Sequence, residues 1–231
     1  MRNGASVAAI LPVLNEEASI ARVLAEIPDW VDDVVVVDNG SSDRSAEVAR
    51  SAGARVLREP RRGYGHACMT GIASLSRPDV VVFLDGDYSD HPQEMDRVVD
   101  PILDGQAQMV IGSRVLGDCQ PGALTPQARF GNWLTCTLVR AIWGQRYTDL
   151  GPFRAISLPA LESLGMADPN YAWTIEMQIK AVQRGLRIVE VPVSYRRRIG
   201  ESKVSGTWRG VVLAGSKILA YVAWMALAER R

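Results

Sequence analysis

An excess of charge of either sign is missing from this chain: 26 lysines and arginines face 26 aspartates and glutamates, for a formal net charge of +0 at pH 7. No global field draws the protein to nucleic acid, so anion binding has to come from local clusters. Cysteine is scarce as well. Cys68, Cys119 and Cys136 are odd in number and lack metal-ligand spacing, and they are read as reduced thiols of a cytoplasmic protein. A secretory leader is not expected, because Pro12 and the acids behind it break the first apolar run. Internal repeats, low-complexity tracts and linkers are lacking too. The longest apolar stretch, 210–228, is interrupted by Ser216 and Lys217. A lysine near the middle of a bilayer span is costly, so a helix on the core or lying at a membrane surface is expected in place of a span.

What the chain does hold is a core. With 231 residues and 47% hydrophobic content, one α/β domain over 1–231 is the simplest account, ending in an apolar helix at about 208–228. Apolar runs at Val7–Val13, Val34–Val37 and Val80–Leu84, with a shorter one at Ala54–Leu57, alternate with helical patterns through Ile20–Ile27, toward Val48 and from His66 to Leu75. Valine-rich strands separated by helices predict a mostly parallel sheet covered on both faces, a three-layer sandwich. Ligands bind at the carboxyl ends of such strands. Asn15, Glu16, Asp38, Asp85 and Asp87 all fall there. Asp85-Gly86-Asp87 is the sharpest of these features. Two carboxylates around a glycine suit a hard divalent cation, Mg²⁺ or Mn²⁺, that takes oxygen ligands and bridges substrate phosphates; standing alone, the same triplet reads as a solvated acidic turn. Gly63-Tyr64-Gly65 does not mark a dinucleotide fold: it follows the third strand and lacks the third glycine.

Seven stretches then occur in order: LPVLNEE (Leu11–Glu17), VVVDNGSSD (Val35–Asp43), RRGYGHA (Arg61–Ala67), FLDGD (Phe83–Asp87), IGSR (Ile111–Arg114), TDLGPFRAI (Thr148–Ile156) and RRRIGESKVSG (Arg196–Gly206). With them the chain resembles the family 2 glycosyltransferases of the GT-A fold, and within these the polyprenyl-phosphate sugar synthase branch that includes dolichyl-phosphate mannose synthase. The resemblance implies that Leu11, Pro12 and Glu16 line a nucleotide pocket and that Gly63 and Gly65 approach the donor. Asp38 would contact the base; the alternative is a turn residue bonded to its own backbone in the Asn39-Gly40 bend. Asp85 and Asp87 would hold the metal against a nucleotide-diphospho-sugar, and Arg198 and Lys203 would add positive charge where the family closes over the diphosphate.

Two acceptor chemistries stay open. A hydroxyl needs a general base, and Glu176 matches that position. A polyprenyl phosphate, already ionised at neutral pH, needs cations instead. Arg114 and Arg129 match the arginines that hold it, although Arg129 reads equally as a helix-surface cation, and Glu176 would then only orient. From Phe130 to Ile142 an amphipathic pattern predicts a helix docked on the sheet, while Trp133, Trp143, Arg129 and Arg140 leave an interfacial role open. The expected activity is inverting, metal-dependent hexosyl transfer to a polyprenyl phosphate, with peripheral contact at the cytoplasmic membrane face. The alternatives are transfer to a hydroxyl and a catalytically silent nucleotide-sugar-binding scaffold.

Overall fold

The structure is a computed structural model that describes residues 1–200 and 208–228, with side chains of the last helix from Leu213 onward. Its strands are β1 (Val7–Val13), β2 (Asp33–Asp38), β3 (Arg55–Arg58), β4 (Val80–Phe83), β5 (Met109–Ser113), β6 (Arg154–Ser157) and β7 (Ile188–Pro192). Its helices are α1 (Ile20–Ala25), α2 (Ser45–Ser51), α3 (Tyr64–Ala73), α4 (Met95–Leu103), α5 (Pro126–Trp143), α6 (Leu158–Leu164), α7 (Trp173–Gln183) and α8 (Trp208–Ala228). The strands form one seven-stranded sheet in the order β3-β2-β1-β4-β6-β5-β7. Only β6 runs against its neighbours, β4 and β5. This is the mostly parallel α/β sandwich that the valine runs imply.

Period-2 alternation divides the core. Val7, Ala9, Leu11 and Val13 of β1 point to the layer of α1, α2 and α4, together with Val80 and Val82 of β4. Ile10, Val81, Phe83, Met109 and Ile111 point to the other layer, against α3 and α7. Gly71 brings α3 close to the sheet: a Cβ there would fall 2.6 Å from Ile10 Cγ2. Because β6 is reversed, its first residue, Arg154, lies at the same edge as the last residues of β1, β2, β4 and β5. The crossover therefore adds a cation to the edge where the acids gather.

One helix, α5, behaves differently from expectation. α5 begins at Thr125, whose hydroxyl accepts the Ala128 N–H at 3.2 Å, and ends at Gly144 in the left-handed region. Its predicted apolar stripe does not dock on the sheet: Phe130 and Trp133 face solvent, and Thr135, Cys136 and Val139 are buried instead. Hydrogen bonds account for the inversion. Asn132 donates to the Thr148 carbonyl at 2.9 Å and accepts the Leu150 N–H at 2.8 Å, while the Thr135 hydroxyl satisfies itself on the Gly131 carbonyl at 2.8 Å. α8 packs on α5 and α7. Its mid-helix Lys217 is paired with Asp168 at 3.0 Å. No described helix is long and apolar enough to cross a membrane.

Candidate active site

The carboxyl ends of β1, β2 and β4 open into a cavity of about 560 Å³. Pro12, Val13 and Glu16 reach it from the end of β1, Asn39 from the end of β2, and Asp85, Gly86 and Asp87 from the end of β4. Arg62, Gly63, Tyr64, Arg114 and Arg198 also line it, together with Ala214 and Ile218 of α8.

Local chemistry fixes each tip. Asn15 takes a left-handed φ of 54°, and its Oδ1 accepts the Ser42 N–H at 2.8 Å; Glu16 N–H donates to Ser45 Oγ at 2.7 Å. These bonds join the loop after β1 to the loop after β2. Asn39 spans the next gap: it donates to the carbonyls of Glu59 and Arg61 and accepts the Gly63 N–H at 2.8 Å. Gly86 lets the acidic turn lie against β1, since a Cβ there would be 2.8 Å from Val13 Cγ2. The segment after β7 crosses over this turn. Arg196 stacks on Tyr88 at 3.3 Å, and Ile199 N–H donates to the Asp87 carbonyl at 2.9 Å. That path delivers Arg198, whose guanidinium lies 2.5 Å from Asp87 and 3.6 Å from Glu16. The tips of β1 and β4 thus meet through one side chain.

The electrostatics of the pair are unequal. Asp87 accepts the Ser89 N–H at 2.8 Å and the Ser89 hydroxyl at 2.5 Å. Asp85 is pushed up to about 7 by burial and by the Asp87 charge, with Arg198 and Arg114 opposing the shift. Its Oδ1 is buried and has no hydrogen-bond partner among the described residues. An orphaned carboxylate oxygen beside a second carboxylate fits a hard divalent cation. Among the described residues no group of three or more acids, histidines or cysteines could hold one. Asp85 and Asp87 could offer two oxygen ligands, with the remaining positions left to a substrate and water, as Mg²⁺ sites on phosphates commonly do.

Other predicted residues take different places. Leu11 is wholly buried within β1 and does not line the cavity, which begins at the strand's end with Pro12, Val13 and Leu14. Asp38 is buried and accepts the Ser41 N–H at 2.9 Å, the turn alternative, and Asn39 faces the cavity beside it. Gly63 lines the cavity, whereas Gly65 serves packing, because a Cβ on it would be 1.9 Å from the Asp168 carbonyl oxygen. Arg114 lines the cavity, but its guanidinium is committed to Asp149, with Nε and Nη2 each at 2.7 Å. That bidentate pair raises its pKa against the effect of burial. Arg129 is exposed on α5, outside the cavity. Glu176 is buried, accepts the N–H groups of Ala167 and Asp168 and pairs with Lys180 at 2.8 Å. It does not reach the cavity. Lys203 lies outside the described residues.

Two contributors escaped the sequence reading. Asn39 was visible only as a turn residue. Arg154 is fully buried and donates to the carbonyls of Leu150, Gly151 and Thr174, locking the loop behind the Arg114–Asp149 pair. Nothing in a four-residue strand signals a buried arginine.

Comparison with known proteins identifies the family. The family model described as Glycosyl transferase family 2 matches residues 8–164. An uncharacterized glycosyltransferase of Mycobacterium tuberculosis is 37% identical over 214 residues, 91% of this chain and 95% of the relative. The undecaprenyl-phosphate mannosyltransferase of Micrococcus luteus is 31% identical over 241 residues, covering 96% of this chain and 94% of its own. Among solved structures, glucosyl-3-phosphoglycerate synthase from M. tuberculosis, in complex with Mn²⁺, UDP-glucose and phosphoglyceric acid, superposes with a TM-score of 0.79. The two share 27% identity over 96% of this chain and 80% of that one. With a family model spanning β1 to α6 and relatives matched along nearly their whole length, the chain belongs to glycosyltransferase family 2.

Proposed function

We propose that the protein transfers a hexose from a nucleotide-diphospho-sugar to a polyprenyl phosphate. The observation that carries this reading is the distribution of acids. Among the described residues lining the cavity, the carboxylates are Glu16, Asp85 and Asp87, all on the strand tips at the donor end. Ala214 and Ile218 of α8 add an apolar wall to this lining, where an acceptor would enter. A phosphate monoester has a second pKa of about 6 and attacks without losing a proton to the enzyme. It suits a cavity whose described lining carries no acid beyond those three, and an apolar wall suits a lipid-linked acceptor.

Pro12, Asn39, Arg62 and Gly63 border the space for the nucleotide. Asp85 and Asp87 would hold Mg²⁺ or Mn²⁺, whose charge offsets that of the departing nucleoside diphosphate. Arg198 adds a cation at the same point. A bond forms between an acceptor phosphate oxygen and the anomeric carbon as the bond from that carbon to the diphosphate breaks, so one displacement inverts configuration. Arg114 lines the cavity with its guanidinium held in place by Asp149. The polyprenyl-phosphate enzymes among the relatives support the acceptor class.

A second reading, transfer to a hydroxyl of a small acceptor, is favoured by the likeness to glucosyl-3-phosphoglycerate synthase. It requires a base, and Glu176, the candidate, is enclosed by backbone donors and Lys180. The test is incubation with GDP-mannose or UDP-glucose, Mn²⁺ and either a short-chain polyprenyl phosphate or phosphoglyceric acid, with product analysis by mass and anomeric configuration. A β-linked glycosyl phosphate is expected. Product from the hydroxyl acid alone would overturn the reading.

A further inference from the structure

Buried polar atoms without a hydrogen-bond partner are rare in folded chains, and each one calls for a cause. Among the described residues there are five such side-chain atoms, and four of them gather around the Asp85-Gly86-Asp87 turn: Tyr64 Oη, Asp85 Oδ1, Asp90 Oδ1 and Arg198 Nε. Tyr64 is the uncharged one, and it reaches the turn from the start of α3. Local structure holds it there. Gly63 enters the helix at a φ of 141°, the His66 N–H donates to the Pro169 carbonyl at 3.0 Å, and the Ala67 N–H donates to the Gly63 carbonyl at 3.1 Å. Tyr64 thus forms part of the cavity wall while its hydroxyl is buried. Electrostatics identify what that hydroxyl faces. Burial and the Asp87 charge raise the Asp85 carboxyl, and Arg198, Arg114 and the Tyr64 hydroxyl oppose the rise. Burial and then the Asp85 charge push the Tyr64 phenol up, so it keeps its proton. Cys68, one turn further along α3, is raised by burial and by the same carboxylate. Of the two acceptors beside the phenol, the thiol sulfur is weak and the carboxylate strong.

We propose that Tyr64 is a positioning residue for the cation site: its hydroxyl donates to Asp85 Oδ1 and fixes that carboxylate for a divalent ion. A carboxylate oxygen has two lone-pair directions, so the phenol and a cation can share it. Ligating carboxylates are themselves hydrogen-bonded, and deleting such a partner costs about 10–100-fold in metal affinity. The inference rests on the reading that Asp85 and Asp87 bind a divalent ion. Tyr64→Phe keeps the ring and deletes the hydroxyl. Calorimetric titration of GDP and UDP into wild type and variant, with and without Mn²⁺, separates the two readings. Without Mn²⁺ the proteins should bind alike, within about twofold. The gain that Mn²⁺ gives should fall at least about tenfold in the variant.

The metal-free variant should melt no lower than wild type, because the deleted hydroxyl has no partner to lose among the described residues. In turnover it should need at least about tenfold more Mn²⁺ for half-maximal rate and recover the wild-type kcat at saturation. In an Asp85→Asn background the same change should do nothing further to the Mn²⁺ gain. Should Tyr64→Phe misfold, Tyr64→Leu, which also lacks the hydroxyl, is read by the same ratio. A Mn²⁺ gain equal in wild type and variant overturns the inference and leaves the ion site standing. A loss of nucleotide affinity that is the same with and without Mn²⁺ overturns it as well, because the hydroxyl would then touch the nucleotide. No Mn²⁺ gain in the wild type would remove the ion site and this inference together.

Discussion

At the tip of β4 the protein alone does not neutralise its own acids. Asp87 has Ser89 and Arg198 as partners, but Asp85 keeps one buried oxygen with none among the described residues. Its carboxyl, raised to about 7, holds a proton in the folded chain that the unfolded chain releases near pH 4. Stability from this group is therefore greatest in acid and falls as pH rises from about 4 to 7. Asp85→Asn should raise Tm at pH 8, by about 2–4 °C for each kcal/mol relieved, with the gain vanishing toward pH 4. The same variant should weaken Mn²⁺-dependent nucleotide binding at least about tenfold. Thermal scans across pH together with titration calorimetry check both halves; a variant less stable than wild type at pH 8 would contradict the electrostatic account. Glu176→Gln makes the opposite pattern. It should lower Tm, because backbone donors and Lys180 lose a full carboxylate. Turnover with a phosphate acceptor should change less than about threefold, under 1 kcal/mol of barrier. A collapse of turnover without loss of stability would restore Glu176 as a base.

Elements were more legible than contacts. The strands β1, β2 and β4 were visible in the sequence because a buried parallel strand needs a continuous apolar run, and β1 spans Val7–Val13 as its valines indicate, whereas β5, which leads to Arg114, was not read as a strand. The D-G-D turn was legible for the same reason: acids directly after such a run have nowhere to go but the sheet edge. The face chosen by α5 was not legible, because Asn132 fixes it through bonds to residues 16 and 18 positions away. The pairing of Lys217 with Asp168 is likewise long-range. It turns an apparent mid-helix liability into an anchor for α8. Gly65 illustrates how far motif matching can mislead about role. It matches the family's donor-side stretch, yet what it permits is the approach of the 168–169 backbone to α3. Gly65→Ala should cost about 1–3 kcal/mol through overpacking, read as a fall in Tm, and should weaken nucleotide binding by displacing Gly63 and Tyr64. An alanine variant as stable as wild type would mean the loop at 168–169 moves aside freely.

The whole molecule can be read as a donor end and an acceptor end joined across one sheet edge. Acids and backbone turns gather at β1, β2 and β4; the reversed β6, the Arg114–Asp149 pair and α8 form the other side. Arg198 spans the donor-side tips by touching both Glu16 and Asp87, which places the segment after β7 over the site. The central claim is that these tips bind a diphosphate through a divalent ion held by Asp85 and Asp87. Its most direct test is calorimetric titration of GDP and UDP into wild type and Asp87→Ala, with and without Mn²⁺. One of the two nucleotides should bind the wild type with Mn²⁺ at least about tenfold more tightly than without it, and the variant should lose that gain. Equal affinity in all four conditions, or an Mn²⁺ gain that survives in Asp87→Ala, would contradict the account.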